Sequence, residues 1–221
     1  MDTALVIGDS GGIGAAISAA LRARGVAVTG LSRSADGLDV TDEATIEAAL
    51  GGLEGPFDLI FVATGTLQGA GHPPEKSISA VTPEALTAQF RVNAMGPMLV
   101  LKHALRLLPR DRPATFAVLS ARVGSIGDNR IGGWHSYRAA KAALNQLIHG
   151  AALELRRTHK QATAVCLHPG TVYTDFTAPY AGRHKTVEPG EAAGRLLSVI
   201  DSLGPGQTGR FFDYAGDEIP W

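Results

Sequence analysis

The sequence predicts an α/β fold, a doubly wound parallel sheet of about seven strands with helices on both faces. Apolar runs too short for helices alternate with longer segments of helical periodicity along the whole chain, which is typical of βαβ units. Parallel strands joined by right-handed crossovers then form one sheet. Since no repeat, linker or low-complexity segment interrupts the pattern, residues 1–221 are expected to be a single domain.

The first elements are predicted from apolar runs and from glycines that end helices. Residues 4–7 are a continuous apolar run, as in a strand that is buried on both faces. The helix after them places Ile13, Ile17 and Leu21 on one side and ends at Gly25. The next elements are predicted as strand 26–31, strand 38–40, helix 42–50 and strand 58–63.

The later elements obey the same rules. Thr82 is a typical N-cap residue and Pro83 suits the first helical position, so a helix is predicted to begin there. The longest helical pattern carries Ala139, Ala140 and Ala143 on one face, where another backbone could approach closely. The predicted elements are helices 83–92 and 96–108, strand 114–120, helix 136–158, strand 163–167, helix 190–202 and strand 209–214.

Composition and charge exclude several classes of protein. Twenty basic and 21 acidic side chains leave a formal charge of -1, so no basic surface for nucleic acid or an anionic membrane is expected. The single cysteine, Cys166, excludes an intrachain disulfide and a cysteine-based zinc site. His149 and His159 do not share a helix face as paired metal ligands would. With no signal-like or membrane-spanning apolar stretch, a cytoplasmic protein is expected.

A glycine-rich turn follows the first strand. Gly8, Gly12 and Gly14 are spaced G-x-x-x-G-x-G between a predicted strand and a predicted helix. Glycines at these positions let the backbone approach a pyrophosphate at the N-terminus of the helix. Because the spacing is common by chance in a chain with 27 glycines, its place in a βαβ unit carries the prediction of a dinucleotide site. The alternative is a purely structural turn.

The end of the second strand indicates which dinucleotide is bound. An acid there normally binds the ribose 2′-hydroxyl of NAD, and residues 31–34 contain no acid. Ser32, Arg33 and Ser34 could instead hold a 2′-phosphate through charge-assisted hydrogen bonds, which favours NADP without excluding NAD. The alternative is that Arg33 is a solvated surface charge.

Tyr137 and Lys141 form a Y-x-x-x-K pair near the start of the longest helix. Positions i and i+4 share a helix face, so the ammonium is predicted to lie beside the phenol and to lower its pKa. Such a phenol can exchange a proton with a reacting oxygen. The alternative is an ordinary exposed helical pair.

Together these motifs resemble those of the short-chain dehydrogenase/reductases, and the resemblance covers essentially the whole chain. It rests on five segments: the turn at 8–14, Leu38-Asp39-Val40-Thr41, Val92-Asn93-Ala94-Met95-Gly96, the Tyr137 and Lys141 pair, and residues 168–174. Residues 119–129 with Gly132-Gly133-Trp134 are similar to the C-factor and sniffer-like carbonyl reductase branch. The fold implied is the Rossmann sheet.

The resemblance implies a role for each matching position. Tyr137 would be the acid or base on the substrate oxygen, Lys141 would hold the nicotinamide ribose, and Asn93 would anchor a water in a proton relay. Hydride would pass between the nicotinamide and a carbonyl carbon. The implied cofactor-binding positions are Gly8, Ser10, Gly11, Gly12, Ile13, Gly14, Ser32, Arg33, Asp39, Val40, Ala63, Thr64, Gly65, Asn93, Tyr137, Lys141, Pro169, Gly170, Val172 and Thr174.

Two segments depart from the family pattern. Where the family has a serine pair after the fifth strand, this chain reads Ser120-Ala121, so the hydroxyl that binds the substrate carbonyl is missing. Ser125 in the following loop is the preferred substitute, Ser120 is the second choice, and a role for neither stays open. Residues 63–65 read Ala-Thr-Gly instead of the usual Asn-Ala-Gly, but Gly65 keeps the close approach to the cofactor.

The sequence thus predicts an NADP-dependent oxidoreductase that interconverts a carbonyl and an alcohol on a small or medium-sized substrate. The alternative is an NADP(H)-binding regulatory or signalling protein with vestigial turnover, which the lost serine motivates. The resemblance implies a homodimer or homotetramer. Little chain lies between Thr174 and Glu188, which predicts an open pocket and broad specificity. Residues 217–221 are expected to cover either a sheet edge or a neighbouring subunit.

Overall fold

A single parallel sheet forms the centre of the computed structural model, which describes residues 1–71, 73–174, 177 and 186–221. Its strands are β1 (Thr3–Ile7), β2 (Ala27–Leu31), β3 (Leu59–Val62), β4 (Ala114–Leu119), β5 (Ala162–His168) and β6 (Phe211–Asp213). They lie in the order β2-β1-β3-β4-β5-β6, and every neighbouring pair is parallel. The predicted α/β fold class is confirmed, with six strands among the described residues where about seven were expected.

Helices cover both faces of the sheet. They are α1 (Gly12–Ala23), α2 (Arg33–Asp36), α3 (Glu43–Gly51), α4 (Pro83–Phe90), α5 (Gly96–Ala104), α6 (His135–Thr158) and α7 (Pro189–Ser202). One hydrophobic core packs α1 and α7 against the sheet, and a second lies between the opposite face and α3, α5 and α6. Side chains alternate between the faces of a strand, so Leu5 enters one core and Val6 the other. This double burial explains why the strands read as continuous apolar runs.

The strand predicted at 38–40 is not formed. The chain instead continues from β2 into the short helix α2, which Ser32 caps and which ends at Gly37 with a left-handed φ of 68°. Beyond it, the Asp39 carboxylate accepts hydrogen bonds from the Thr41 N–H at 2.8 Å and the Thr41 hydroxyl at 2.7 Å. Side-chain bonds of this local kind compete with a strand ladder, and here they hold a turn.

The sheet topology fixes where a ligand can bind. Strand β1 lies between β2 and β3, so the strand order reverses on either side of it. In open parallel sheets, ligands bind at the carboxyl ends of the strands beside such a reversal. The loops that follow β1 and β3 therefore form the centre of the candidate site. The predicted short lid segment after Thr174 lies mostly outside the described residues. No helix in the described part of the chain is long and apolar enough to cross a membrane.

Candidate active site

The turn between β1 and α1 is shaped by its glycines. Gly8 has a φ of +86°, which favours glycine, and its N–H donates to the Leu31 carbonyl of β2 at 2.7 Å. A Cβ on Gly14 would lie 2.1 Å from the Gly8 carbonyl oxygen, and a Cβ on Gly12 would lie 2.6 Å from Thr174 Cγ2. The turn therefore packs tightly on itself and on Thr174, and α1 begins without a side-chain cap, so an anionic group can satisfy its first amides.

The candidate groove at the carboxyl ends of the strands continues along the residues that follow β3. A Cβ on Gly8 would lie 3.1 Å from Thr64 Cγ2, so this segment packs directly on the glycine-rich turn. A Cβ on Gly65 would lie 3.0 Å from Asn93 Oδ1 and 3.7 Å from Lys141 Nζ. Positions predicted from separate motifs thus meet at the carboxyl edge of the sheet. A side chain at position 65 would crowd Asn93 and Lys141.

The groove beyond β2 differs in part from its prediction. Ser32 is buried, and its hydroxyl accepts a hydrogen bond from the Ala35 N–H at 3.2 Å, so it caps α2 and does not face solvent. Arg33 is exposed at the start of α2, which agrees with a phosphate ligand and equally with the alternative of a solvated surface charge. The hydrogen bonds from Thr41, with a smaller contribution from the Arg33 cation, hold the pKa of Asp39 below its usual range. Arg33 and Asp39 therefore flank the same end of the groove.

The segment after β5 closes the other end of the groove. Gly170 has a left-handed φ of +79° and lies against the ring of Tyr214. Val172 is buried and pairs with Val187, while the Thr174 N–H donates to the Thr177 hydroxyl at 3.1 Å. These contacts bring Thr174 beside the glycine-rich turn, where the resemblance places a cofactor contact.

Tyr137 and Lys141 lie on the first two turns of α6 and are both buried. Their exposed fractions are 6% and 3%, which excludes the alternative of an exposed helical pair. Lys141 Nζ lies 5.9 Å from the centre of the Tyr137 ring and donates a hydrogen bond to the Leu119 carbonyl at 2.9 Å. Leu119 is the last residue of β4, so one lysine ties α6 to the sheet beside the phenol.

Burial determines the protonation of this pair. It raises the pKa of Tyr137 above its ordinary value, whereas the sequence predicted a lowered pKa. Removal from water penalises the phenolate because a charged group loses its hydration. The same burial lowers the pKa of Lys141 to about 8. At neutral pH the phenol therefore carries its proton and the neighbouring ammonium is still mostly charged.

Asn93 lies in a π-helical turn, Arg91–Met95, that interrupts the path from α4 to α5. Its Oδ1 accepts from the Thr66 N–H at 3.1 Å, and its Nδ2 donates to the Thr66 carbonyl at 2.8 Å and to Gln89 Oε1 at 2.5 Å. Gln89 in turn donates to the Leu67 carbonyl at 2.9 Å. The buried amide thus fixes the loop after β3, and one lone pair of Oδ1 remains for a further donor.

The two candidate serines make contacts that compete with a substrate role. The Ser120 hydroxyl donates to Asn145 Oδ1 at 2.7 Å, and the Ser125 hydroxyl donates to the Pro220 carbonyl. Each hydroxyl has one hydrogen, so neither has a hydrogen left for a substrate carbonyl. These contacts do not distinguish Ser125 from Ser120, and they favour the third possibility left open by the sequence, that neither serine binds the substrate.

The C-terminal residues pack against the loop that follows β4. The Trp221 carbonyl accepts from the Gly127 N–H at 2.7 Å, and the Trp221 ring stacks on Phe211 with centroids 6.2 Å apart. The ring also meets His149 of α6 edge-on at 5.4 Å. Of the two roles left open by the sequence, these contacts place residues 217–221 over the edge of this chain's own sheet, because Phe211 belongs to the terminal strand β6.

Sequence reasoning missed the residue that supports the start of α6. Glu75 is buried, its Oε2 accepts from the Ser136 N–H at 3.2 Å, and its backbone carbonyl accepts from the Trp134 N–H at 2.5 Å. The Trp134 ring then meets the Tyr137 ring edge-on at 6.2 Å. A carboxylate at a helix N-terminus also interacts favourably with the helix dipole. No local pattern connects Glu75 with α6, since the contact spans 61 residues.

Asn145 and Gly124 were also missed, although Asn145 carried a signal. Residues 137, 141 and 145 follow at four-residue spacing, so they share one face of α6. A Cβ on Gly124 would lie 2.7 Å from Lys141 Cβ, so the loop after β4 can approach α6 only because position 124 is a glycine. This approach is to Lys141 and the Ala142 backbone, and not to the face of Ala139, Ala140 and Ala143 where a close approach was predicted.

Comparison with known proteins agrees with this geometry. The sequence profile of the family described as short chain dehydrogenase matches residues 2–184. A 1-hydroxy-2-glutathionyl-2-methyl-3-butene dehydrogenase of Rhodococcus sp. is 31% identical over 236 aligned positions that cover 100% of both chains. C-signal of Myxococcus xanthus is 39% identical over 132 residues, which are 60% of this chain and 76% of C-signal.

Solved structures are similar over the whole chain. A Burkholderia multivorans protein described as a short-chain dehydrogenase/reductase, with bound NADP, has a TM-score of 0.83 at 28% identity and covers 100% of this chain and 99% of its own. The carbonyl reductase Sniffer of Drosophila melanogaster has a TM-score of 0.83 at 22% identity, covers 100% of both chains and supports the fold alone. From the extent of the profile match and of the Rhodococcus alignment, the chain belongs to the short-chain dehydrogenase/reductase family.

Proposed function

We propose that this oxidoreductase uses NADP(H) to interconvert a carbonyl and an alcohol on a small or medium-sized substrate. The observation that carries the proposal is the buried Tyr137 and Lys141 pair, which lies with Asn93 around Gly65 at the carboxyl edge of the sheet. A buried phenol beside an ammonium is a proton donor whose conjugate base has a stabilising cation nearby.

The residues of the groove fit a dinucleotide. Gly14 lets the turn pack closely on the Gly8 carbonyl, and α1 begins at Gly12 with no side-chain cap at Gly11, so its first amides are available to a pyrophosphate. Arg33 stands exposed after β2, where a 2′-phosphate would find a cation. The bound NADP of the Burkholderia multivorans relative supports the same cofactor for this chain.

The proposed chemistry assigns the proton to Tyr137. NADPH, when bound, supplies a hydride to the carbonyl carbon. The phenol donates its proton to the carbonyl oxygen, and the Lys141 ammonium stabilises the phenolate that remains. In alcohol oxidation the phenolate accepts the proton instead. Asn93 holds the loop that carries Gly65, and its free lone pair is the proposed anchor for a relay water.

No serine takes part in this mechanism. The hydrogens of Ser120 and Ser125 are donated to Asn145 and Pro220, and Ala121 has no hydroxyl. The Tyr137 phenol is therefore the proposed single donor to the substrate oxygen. With fewer groups fixing the substrate, broad specificity is expected, as the short segment after Thr174 also predicts.

Assembly and location complete the proposal. Residues 1–221 are proposed to act as a single domain of a cytoplasmic homodimer or homotetramer. Leu86 and Phe90 of α4 and Leu153 of α6 are exposed apolar side chains that a second copy would cover. Size-exclusion chromatography with light scattering tests this, and a monomer at micromolar concentration would contradict it. A signalling protein with vestigial turnover is the weaker alternative, since a sensor has no need of a buried acid.

A substrate panel tests the function directly. NADPH oxidation is followed at 340 nm with aldehydes, ketones and quinones, and oxidation of the matching alcohols is followed in reverse. Turnover of several members that depends on Lys141 is the expected result, with the exposed Lys160→Met variant as control. NADPH binding without turnover of any member would favour the signalling alternative.

A further inference from the structure

The second residue of the glycine-rich turn is an aspartate that lies directly over strand β2. A Cβ on Gly30 would lie 1.7 Å from Asp9 Oδ2 and 2.5 Å from Asp9 Cγ. The carboxylate therefore occupies the space that a side chain at position 30 would take. The turn is fixed to the same strand, because the N–H groups of Gly8 and Asp9 both donate to the Leu31 carbonyl, at 2.7 and 3.4 Å.

Among the described residues, none neutralises the Asp9 carboxylate. Asp9 is half-buried, and within the part of the chain that the structure describes no hydrogen bond or ion pair engages its carboxylate. Gly30 is two residues before Ser32 and three before Arg33, and a strand rises about 3.3 Å per residue. The carboxylate thus lies on the strand face that Ser32 shares, and Ser32 follows Gly30 by about 7 Å along the strand.

An acid in this position bears on whether the site binds NAD or NADP. The end of the second strand is where this fold holds the adenosine ribose, and an acid there binds the 2′-hydroxyl of NAD. Residues 31–34 contain no acid, but the fold brings two carboxylates to this place. Asp36 accepts a hydrogen bond from the Ser32 N–H at 2.7 Å and is thereby engaged, whereas Asp9 comes from the turn before α1 and lies over Gly30. A 2′-phosphate would meet the cation of Arg33 and the anion of Asp9 together.

We propose that Asp9 is a specificity-determining residue of the dinucleotide site. It weakens the preference for NADP(H) over NAD(H), so that the protein also binds NAD(H). The proposal rests on the proposed function only in requiring a nicotinamide dinucleotide in this groove. Asp9 repels the 2′-phosphate and accepts a hydrogen bond from a 2′-hydroxyl, directly or through a water. The Arg33 cation attracts the 2′-phosphate and so favours NADP(H).

The experiment measures dissociation constants for NADPH and NADH on the full chain by fluorescence titration at low ionic strength. Asp9→Asn keeps the shape of the side chain and removes its charge. In general, a unit charge about 7–10 Å from a phosphate in partly solvated surroundings changes the Kd of that phosphate by about 3- to 10-fold. We expect Asp9→Asn to bind NADPH more tightly than the wild type by this factor, and to bind NADH equally or more weakly. The gain in NADPH affinity should be smaller in 0.5 M salt, which screens the charge.

Two further variants make the result specific. Glu154→Gln removes one negative charge from the exposed far end of α6 and should leave both constants unchanged. Gly30→Ala should lower the melting temperature, because its Cβ would collide with the Asp9 carboxylate, and Asp9→Ala in the same chain should restore most of the loss. This pair tests the contact without a cofactor.

The outcomes separate this inference from the proposed function. A rise of threefold or more in the preference of Asp9→Asn for NADPH over NADH supports the inference. A change below threefold, or a fall, overturns it and leaves the proposed function standing if NADPH still binds. Failure of the wild-type protein to bind either dinucleotide overturns both.

Discussion

The free energy of unfolding of Lys141→Met, taken relative to that of the wild type, should be higher at pH 7 than at pH 9.5. Burial lowers the pKa of Lys141 from 10.5 to about 8, so the folded state holds the ammonium at a cost. A difference of this size corresponds to about 3 kcal/mol at neutral pH, since one pKa unit is about 1.4 kcal/mol. Methionine fills a similar volume without the charge, although the bond to Leu119 is lost.

The sign of the pH dependence follows from proton binding. Between pH 8 and 10.5 the unfolded lysine binds a proton that the folded one has released, so the free energy of unfolding of the wild type rises with pH in that window. Below pH 8 both states are protonated and the cost is constant. From pH 7 to 9.5 the wild type should gain about 2 kcal/mol relative to Lys141→Met, which is about 4–8 °C in melting temperature.

Urea unfolding at pH 7 and 9.5 measures this difference. Tyr137 and Cys166 also titrate at high pH, but they are present in both proteins and so their contributions largely cancel. Lys160→Met removes an exposed lysine and should unfold in parallel with the wild type at both pH values. If the free energy of unfolding of Lys141→Met changes between the two pH values by the same amount as that of the wild type, within about 0.5 kcal/mol, then burial does not lower the pKa of Lys141 and the reasoning is refuted.

Two more substitutions test the surroundings of the phenol. Glu75→Gln keeps an acceptor for the Ser136 N–H but removes the charge at the start of α6. We therefore expect kcat to fall about 3- to 10-fold while the Kd of NADPH changes less than twofold. Steady-state kinetics and titration measure both quantities, and an unchanged kcat would exclude a positioning role for Glu75. Ser125→Ala loses the bonds to Pro220 and Asp128, so the free energy of unfolding should fall by about 1–2 kcal/mol with kcat/KM nearly unchanged. A hundredfold loss of kcat/KM would make Ser125 the carbonyl donor after all.

Local patterns were sufficient to predict most of the fold. Apolar runs and glycine stops placed the strands and helices to within a few residues, because strand burial and helix termination depend on neighbours in sequence. The helical spacing of Tyr137 and Lys141 likewise placed both on one face. The strand at 38–40 failed because the side chain of Asp39 binds Thr41, a local contact that propensity does not weigh.

The rest of the site depends on contacts between distant residues. Ser125 meets Pro220 across 95 positions, and Glu75 reaches α6 across 61. Asp9 lies over Gly30 only because the turn is bonded to Leu31. The pKa of Tyr137 was predicted with the wrong sign, since helical spacing reveals a neighbouring charge but not how deeply the phenol is buried.

The most direct test of the proposed mechanism is the turnover of Tyr137→Phe with NADPH and an accepted carbonyl. Phenylalanine keeps the ring and its contact with Trp134 but has no proton to donate. A general acid contributes about 10²- to 10⁴-fold, so kcat should fall by that factor while the Kd of NADPH stays within threefold. Retention of more than a tenth of wild-type kcat would contradict the assignment of Tyr137 as the proton donor.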